Sequence, residues 1–345
     1  MQDLPDGQAL ADGRYLVKSK LASGGQGHAY LCYDKVTQTE VVVKVYLLPV
    51  YQGKHLKDVA IQQLEAESLV LQRIDHPQIV QFVDWFTSST CAFLVLKRIT
   101  GNNLRQVCAK FGRPSLALVQ DLTLQMCEIL AYLHNSTPAI IHRDFTPDNL
   151  IIDGQQKLTL IDFTIAEPSG AVSGLPPAGK PAYMPPEQFR GESNLGPPSD
   201  IYALGVLGFE LLSGRLPFTG RTFAELAVAH TTQPAPLLPN VPSALTDLFE
   251  RLLAKEPQRR PRAELLMQSL RSIKEGAPPP KLPEVFIDPY AATGRLDEAV
   301  RTAVISQAAM EKKLQKRQML FTILLAGTVF VFTCAIAVAI YMFLL

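Results

Sequence analysis

Residues 142–149 of this 345-residue chain read HRDFTPDN, and the pair Asp162-Phe163 begins 13 residues after Asn149. This stretch decides the fold because it joins an aspartate, an asparagine five positions later and a second aspartate beyond a short hairpin. Asp144 can accept a proton, while Asn149 and Asp162 offer oxygen atoms. Magnesium prefers a few protein oxygens together with substrate phosphates. The pattern therefore predicts a base at Asp144 and metal ligands at Asn149 and Asp162.

A glycine-rich turn lies upstream, where residues 21–30 read LASGGQGHAY between two strand-like runs. Glycines let backbone N–H groups approach phosphate oxygens without a Cβ in the way. A dinucleotide-binding turn would lead directly into a helix, whereas strand-like residues continue from Tyr30. Lys44, 17 residues after Gly27, ends a β-branched run. Each feature alone also fits a structural turn or a solvated strand end. Together they predict a phosphate-binding hairpin that Lys44 reaches from the next strand.

The spacing of apolar residues predicts two lobes. Strand-like runs over residues 14–46, 79–84 and 92–96 surround one helical pattern at 57–74, and helical spacing dominates after Arg98. A β-rich lobe followed by a helical lobe is an α+β plan. The predicted divisions are an N-terminal leader (1–12), a β-rich lobe (13–97), a helical lobe (98–274), a proline-rich linker with a juxtamembrane stalk (275–318) and a transmembrane helix (319–345).

In the order and spacing of these motifs, the chain resembles the eukaryotic-type (Hanks-type) Ser/Thr protein kinases over about residues 13–272. The resemblance implies a two-lobe protein-kinase-like fold that uses ATP and Mg²⁺, with Mn²⁺ as an alternative metal, to phosphorylate protein hydroxyls. It implies that Lys44 grips the phosphates and pairs with Glu67, or with Glu65 in a shifted register. It also implies nucleotide contacts at Leu21, Gly24, Gly25, Gly27, Ala29, Leu96 and Ile99.

The same resemblance implies two contacts that hold the helical lobe together. Asp200, in the run SDIY at 199–202, matches the aspartate that braces the catalytic loop. Glu187, at the end of the activation segment, would form a buried ion pair with Arg260. Loss of one partner of such a pair leaves an uncompensated buried charge, so this pair is expected to be structural.

Three positions depart from the family's pattern outside its acid, base and metal residues. Ala22 replaces the first glycine of the turn and Gln26 replaces an aromatic residue, while the other glycines stay in place. We expect these two changes to alter nucleotide affinity without abolishing it. Thr164 follows Asp162-Phe163 where the family has glycine. Because β-branched threonine resists positive φ, we expect this segment to favour one state.

The fourth departure is a pair of changes. The family carries a lysine two residues after the catalytic aspartate, where this chain has Thr146, and a threonine in the activation segment, where this chain has Lys180. We hypothesise that the two have traded places, so that Lys180 neutralises phosphate charge from the other side of the cleft with Thr146 as its hydroxyl partner. The alternative is two independent losses in a weakened enzyme.

The sequence leaves three functions in competition. An active protein Ser/Thr kinase is favoured because Lys44, Glu67, Asp144, Asn149 and Asp162 are all present. A catalytically weak pseudokinase that binds nucleotide and partner proteins would account for the departures. A kinase for a small hydroxyl compound is disfavoured because the activation-segment end and the helical lobe after it resemble machinery for protein substrates.

Charge and cysteine content exclude other classes. Thirty-three Lys and Arg nearly balance 32 Asp and Glu, whereas a nucleic-acid-binding domain shows a basic excess. We therefore expect protein substrates and no nucleic-acid partner. Five scattered cysteines lack metal-ligand spacing and indicate free thiols in a reducing compartment. A homodimer is compatible with the sequence but has no support in it.

An uncharged stretch of 26 residues runs from Leu320 to Leu345. As a helix it would be about 39 Å long, against a hydrocarbon core of about 30 Å. Basic residues precede it at Lys312, Lys313, Lys316 and Arg317, and positive charge marks the cytoplasmic flank of a span. We expect no secretory signal at the start, a single span with no external domain beyond it, and a cytoplasmic catalytic domain at a membrane. The resemblance favours the bacterial plasma membrane.

Overall fold

A six-stranded antiparallel sheet forms the N-terminal lobe in a computed structural model of the chain. The structure describes residues 3–24, 27–48, 61, 64–65, 68–137, 139–163, 179–192, 195–238 and 240–284. These residues all fall in one compact unit that ends at Asp288. The strands lie in the order β1-β2-β3-β4-β6-β5. Their bounds are β1 Ala9–Leu10, β2 Tyr15–Gly24, β3 Gly27–Asp34, β4 Thr39–Leu47, β5 Phe82–Thr87 and β6 Cys91–Lys97.

Strand β4 shows how the sequence builds a central strand. Its residues read TEVVVKVYL, and Val41, Val43 and Val45 are buried on one face of the sheet. Alternating β-branched residues are typical of a half-buried strand, in which successive side chains point to opposite faces. Lys44 therefore lies on the face opposite to the valines. The β3–β4 register places Ala29 directly across from Lys44.

The C-terminal lobe is mainly helical. Its described helices are α1 Leu104–Phe111, α2 Leu116–His134, α3 Pro186–Phe189, α4 Pro197–Ser213, α5 Phe223–Thr232, α6 Ser243–Leu252 and α7 Ala263–Lys274. A small sheet in the order β7-β8-β9 is made of Asn102–Asn103, Leu150–Ile152 and Leu158–Leu160. Short 3-10 turns cover Pro181–Tyr183 and Pro257–Arg259.

Helices α2 and α4 form the centre of this lobe. Apolar side chains of α2, such as Met126 and Leu130, are fully buried. In α4, a Cβ at Gly208 would lie 2.4 Å from the Phe249 ring, so glycine lets α4 and α6 pack closely. Within the described ranges, α2 is also the single helix long and apolar enough to cross a membrane, with 19 residues and a mean hydropathy of 1.3. Half of it is buried in the lobe, which accounts for its apolar character as a core helix.

The predicted plan of a β-rich lobe followed by a helical lobe is confirmed. One strand begins later than expected: residues 79–81 precede β5, and Ile79 and Val80 contact Leu160 instead, through a parallel bridge and a 2.9 Å hydrogen bond from Val80 N. Of the helix predicted at 57–74, the described residues 61, 64–65 and 68–73 are helical. The predicted stalk and the transmembrane helix at 319–345 lie outside the described residues.

Candidate active site

Asp200, in the first turn of α4, holds the backbone of the catalytic loop, residues 142–149. Its Oδ2 accepts a hydrogen bond from His142 N at 2.9 Å, and its Oδ1 accepts one from Arg143 N at 2.8 Å. Oδ2 also lies 2.9 Å from His134 Nε2. Burial raises the pKa of Asp200, but the hydrogen bond and charge of His134 outweigh burial and leave that pKa lowered. The predicted brace is thereby confirmed, and it holds Arg143 at a φ of 65°.

The catalytic loop orients the Asp144 carboxylate through Asn149. Asn149 Nδ2 donates to the backbone carbonyl of Asp144 and to Asp144 Oδ2, both at 2.8 Å. Lys180 N donates to Asp144 Oδ1 at 3.2 Å. Gly179 permits this approach, because its φ is 104° and a Cβ there would lie 3.1 Å from the Arg143 carbonyl. Both carboxylate oxygens of Asp144 are thus fixed by neighbouring groups.

Lys44 joins the two lobes. Its Nζ forms an ion pair with Asp162 Oδ1. Asp162 follows β9, and the preceding Ile161 N donates to the Asn149 carbonyl at 3.0 Å. This bond holds the chain that carries Asp162 beside the catalytic loop, so Asp144, Asn149, Asp162 and Lys44 share one site. Glu67, the predicted partner of Lys44, lies outside the described residues.

The glycine-rich turn closes between β2 and β3, where Gly24 pairs with Gly27. Gly27 has a φ of 152°, and a Cβ there would lie 2.0 Å from the Val45 carbonyl, so only glycine fits. Leu96 is buried in β6, and Ile99 is half-buried just after it. Leu21 is exposed. Gly25 and Gln26 lie outside the described residues, as does Thr164, so the expected effect of that threonine stays a prediction.

Thr146 and Lys180 are the two residues hypothesised to have traded places, and their surroundings differ from those expected. Thr146 is fully buried, and its Oγ1 has no hydrogen-bond partner among the described residues. Lys180 Nζ instead lies 2.6 Å from Asp148 Oδ2. The expected hydroxyl–ammonium contact is therefore absent from the described part of the chain, because Asp148 offers the lysine a charged partner. The contact of Lys180 with Asp144 is made by its backbone N–H, so the phosphate-neutralising role of its side chain stays a prediction.

Five charged or polar residues form a group that we call the Asp148 cluster: Arg105, Asp148, Lys180, Tyr183 and Glu210. Of these, the sequence assigned a role only to Lys180. Arg105 Nε lies 2.8 Å from Asp148 Oδ2, and Arg105 Nη1 lies 3.6 Å from Glu210 Oε1. Arg105 Nη2 donates to the Tyr183 hydroxyl at 2.9 Å, and that hydroxyl donates to Glu210 Oε2. The five residues come from four separate segments, so no spacing in the sequence signals the group.

Electrostatics fix the charges of the cluster. Burial raises the pKa of Asp148, but hydrogen bonds and charges from Lys180 and Arg105 outweigh burial and leave that pKa lowered. Burial also raises the pKa of the Tyr183 phenol well above its ordinary value, and the hydrogen bond to Glu210 adds to the rise. Asp148 is therefore an anion and Tyr183 a neutral donor near neutral pH.

The predicted ion pair between Glu187 and Arg260 is confirmed. Arg260 Nη1 lies 2.7 Å from Glu187 Oε1, and Arg260 Nη2 lies 2.9 Å from Oε2. Ser199 Oγ adds a 2.9 Å hydrogen bond to Oε1. Burial raises the pKa of Glu187, but Arg260 outweighs burial and leaves that pKa lowered. This two-pronged pair ties the end of the activation segment to the loop before α7.

The metal ligands predicted from the sequence fit a hard divalent cation. Asn149 donates through its amide nitrogen, which leaves its amide oxygen available as a ligand, and Asp162 offers a carboxylate. Over the described ranges, no group of three or more His, Cys, Asp or Glu side chains could hold a metal by itself. The donor set thus suits a metal that also binds substrate phosphates, as Mg²⁺ does.

A lysine-paired aspartate, a second aspartate held by an asparagine and a glycine-rich hairpin, set between a β-rich and a helical lobe, define a phosphotransferase of the kinase class. The model of the protein kinase domain family matches residues 15–270. The serine/threonine-protein kinase PknA of Mycobacterium tuberculosis is 28% identical, over 88% of this chain and 72% of its own length. The serine/threonine-protein kinase pkn2 of Myxococcus xanthus is 34% identical, over 75% of this chain and 32% of its own length. The chain belongs to the protein kinase domain family as a bacterial eukaryotic-type serine/threonine protein kinase.

Proposed function

We propose that this kinase transfers the γ-phosphate of ATP to a serine or threonine hydroxyl of a protein, with Asp144 accepting the hydroxyl proton. The observation that carries the proposal is the orientation of Asp144 by Asn149 Nδ2 and Lys180 N, beside the ion pair of Lys44 with Asp162. A fixed base next to a phosphate-binding lysine is the arrangement that phosphoryl transfer needs.

Replacement of the base tests this proposal. Asp144→Asn should lower phosphotransfer from labelled ATP to a generic protein substrate by about 10²- to 10⁴-fold, the usual contribution of a general base. Nucleotide binding, measured by the thermal shift with ATP and Mg²⁺, should persist. Asp121→Asn is the matched control, since the Asp121 side chain on α2 is 46% exposed and contacts only Lys274 among the described ion pairs. Equal turnover by Asp144→Asn and the wild type would favour a nucleotide-binding scaffold.

Asn149 and Asp162 are proposed to hold Mg²⁺, with Mn²⁺ as an alternative. The support is chemical: one amide oxygen and one carboxylate leave most ligand positions to phosphate oxygens and water, which suits Mg²⁺. A metal bound there supplies positive charge that neutralises the phosphates. The predicted nucleotide contacts at Leu21, Gly24, Gly25, Gly27, Ala29, Leu96 and Ile99 belong to the same proposal.

Lys180 is proposed to supply the cation that the family carries on the catalytic loop, at the position of Thr146. The supporting observation is that Lys180 N bonds to Asp144 Oδ1 while Lys180 Nζ pairs with Asp148. A lysine between these two aspartates can reach a phosphate that approaches Asp144. A catalytically weak pseudokinase is the second candidate, and the observation that favours it is the buried Thr146 hydroxyl, which meets no hydrogen-bond partner within the described part of the chain.

We also propose that the kinase is tethered to the cytoplasmic face of the bacterial plasma membrane through a helix at 319–345, after a linker at 275–318. The supporting observation is the 26-residue uncharged stretch with basic residues before it. The chain should sediment with membranes and resist extraction by carbonate, whereas a chain ending at residue 318 should not. Release of the full chain by high salt alone would contradict a spanning helix. We propose the same division of the catalytic domain as the sequence predicts, with a β-rich lobe at 13–97 and a helical lobe at 98–274.

A further inference from the structure

The Asp148 cluster begins one hydrogen bond away from the catalytic base. Asp148 lies four residues after Asp144 on the same loop, and Lys180, which pairs with Asp148, also donates its N–H to Asp144 Oδ1. An acceptor hydroxyl placed on Asp144 has its neighbouring residues only about 3.5 Å further along the chain per residue. Side chains that flank the acceptor must therefore pass over or beside the cluster.

The carboxylates of the cluster form a pocket that Arg105 occupies. Arg105 reaches Asp148 with Nε at 2.8 Å, Glu210 with Nη1 at 3.6 Å and the Tyr183 hydroxyl with Nη2 at 2.9 Å. Three donors of one guanidinium thus face three acceptors from different segments. A substrate arginine or lysine could enter this pocket only by displacing Arg105.

Exposure determines which charges a substrate meets. The side chains of Arg105 and Lys180 are 44% and 43% exposed, whereas those of Asp148 and Glu210 are 27% and 23% exposed. The two cations of the cluster are thus more exposed than its two carboxylates. A substrate side chain that approaches the cluster therefore meets Arg105 and Lys180 first, and a basic side chain is repelled there.

We propose that Arg105 determines acceptor specificity, by closing the Asp148–Glu210 pocket to basic side chains and by favouring acidic residues next to the acceptor hydroxyl. This inference rests on the proposed phosphotransfer at Asp144. Arg105 contacts neither the base nor the phosphate-binding lysine in the described structure. It acts by exclusion and by charge, and its removal uncovers two carboxylates that can bind a basic side chain.

Two peptides test the proposal with the full-length kinase. They share a threonine acceptor and differ only in the residues on both sides of it, which are glutamate in one and arginine in the other. The wild type should show a higher kcat/KM for the glutamate peptide. Arg105→Gln, which keeps most of the side-chain volume, should shift the ratio of kcat/KM towards the arginine peptide by roughly threefold to tenfold, the size expected for one partly exposed charge pair.

Three further variants make the test specific. Lys110→Gln removes a cation from an exposed position of the same helix, α1, and should leave the ratio unchanged. Arg105→Lys keeps the charge and should restore the wild-type ratio. Adding Glu210→Gln to Arg105→Gln removes one uncovered carboxylate and should reverse part of the shift. The KM for ATP should stay constant in all of them, since the cluster faces the acceptor.

The outcomes separate this inference from the function beneath it. If the wild type phosphorylates neither peptide nor a generic protein, the proposed phosphotransfer fails. If the wild type is active but Arg105→Gln leaves the ratio of kcat/KM unchanged, Arg105 does not determine specificity. An equal shift in Lys110→Gln would also overturn the proposal, because it would show a general effect of surface charge. Thermal melting of each variant checks that the ratios come from folded protein.

Discussion

Two groups of charged residues in the helical lobe use the same chemistry in opposite surroundings. The pair of Glu187 and Arg260 is dry, with side chains 2% and 0% exposed, and each oxygen of the carboxylate meets one guanidinium nitrogen. The Asp148 cluster also joins a carboxylate to an arginine at 2.8 Å, but its cations reach solvent. Water and mobile ions can replace the partners of Asp148, whereas nothing can replace those of Glu187.

This difference separates stability from function. A buried charge without its partner costs several kcal/mol, so the pair of Glu187 and Arg260 is held in one arrangement. Pairs that reach solvent contribute less to stability, so we expect Lys180 and Arg105 to exchange Asp148 for a phosphate or a substrate carboxylate at smaller cost. We therefore expect the buried pair to serve stability, and the cluster beside Asp144, the proposed base, to serve function.

The largest expected effect comes from breaking the buried pair. Arg260→Met should lower the free energy of unfolding by about 3–5 kcal/mol, because Glu187 is left as an uncompensated buried charge. Denaturant unfolding measures the change. Arg259→Met is the matched control: Arg259 is exposed and lies 4.0 Å from Glu256, so a change within about 0.5 kcal/mol is expected. Equal effects of the two variants would contradict the contrast between the pairs.

Acid should weaken the same pair. The folded-state pKa of Glu187 lies below its ordinary value of 4.5, so its contribution to stability is full above that value. The contribution is lost as pH falls through the lower folded-state pKa, because the unfolded state then binds the extra proton. One such group adds up to about 1.4 kcal/mol per pH unit to the slope of unfolding free energy.

The measurement is the slope of the unfolding free energy against pH, from pH 5 downwards. In Glu187→Gln the slope should be smaller, by up to the one-proton value, because the glutamine does not titrate. Asp121→Asn, which removes a partly exposed carboxylate, should change the slope less. An unchanged slope in Glu187→Gln would mean that Glu187 carries the same proton in both states, against the direction of its lowered pKa.

In contrast to the buried pair, the Asp148 cluster should affect phosphotransfer more than stability. Lys180→Met should change the free energy of unfolding by less than about 1 kcal/mol, yet lower phosphotransfer by about 10²- to 10³-fold if Lys180 neutralises transferred phosphate. Lys157→Met, at an exposed position before β9, is the control. Undiminished phosphotransfer in Lys180→Met would show that the exchange of lysine and threonine is not compensatory, and the two changes would then be independent losses.

The sequence predicted the fold well where local pattern and motif agree. The valines of β4 show the alternation of a half-buried strand, and α2 shows helical apolar spacing, so both elements lie where they were expected. The start of β5 was missed by three residues, because Ile79 and Val80 are apolar and strand-like but pair with Leu160. A contact 81 residues away along the chain cannot be seen in local periodicity.

The site was predicted only as far as motifs extend. Asp200 and the pair of Glu187 and Arg260 were found from their motifs, and their contacts are confirmed. Arg105 was missed because it belongs to no motif, and only the fold brings it to Asp148 from 43 residues away. The expected contact of Lys180 with Thr146 was likewise decided by the fold, which places a carboxylate within closer reach.

The smallest expected effect is also the most direct comparison of the two groups. A double-mutant cycle of Lys180→Met and Asp148→Asn should give a coupling energy of about 0.2–1 kcal/mol at low salt. Salt at 1 M shortens the Debye length to about 3 Å, so this coupling should fall towards zero. The matched cycle of Arg260→Met and Glu187→Gln should keep most of its larger coupling, because solvent ions do not reach a pair that is at most 2% exposed. Equal salt sensitivity of the two cycles would show that the buried pair is open to solvent in solution, and the proposed separation of stability from function would fail with it.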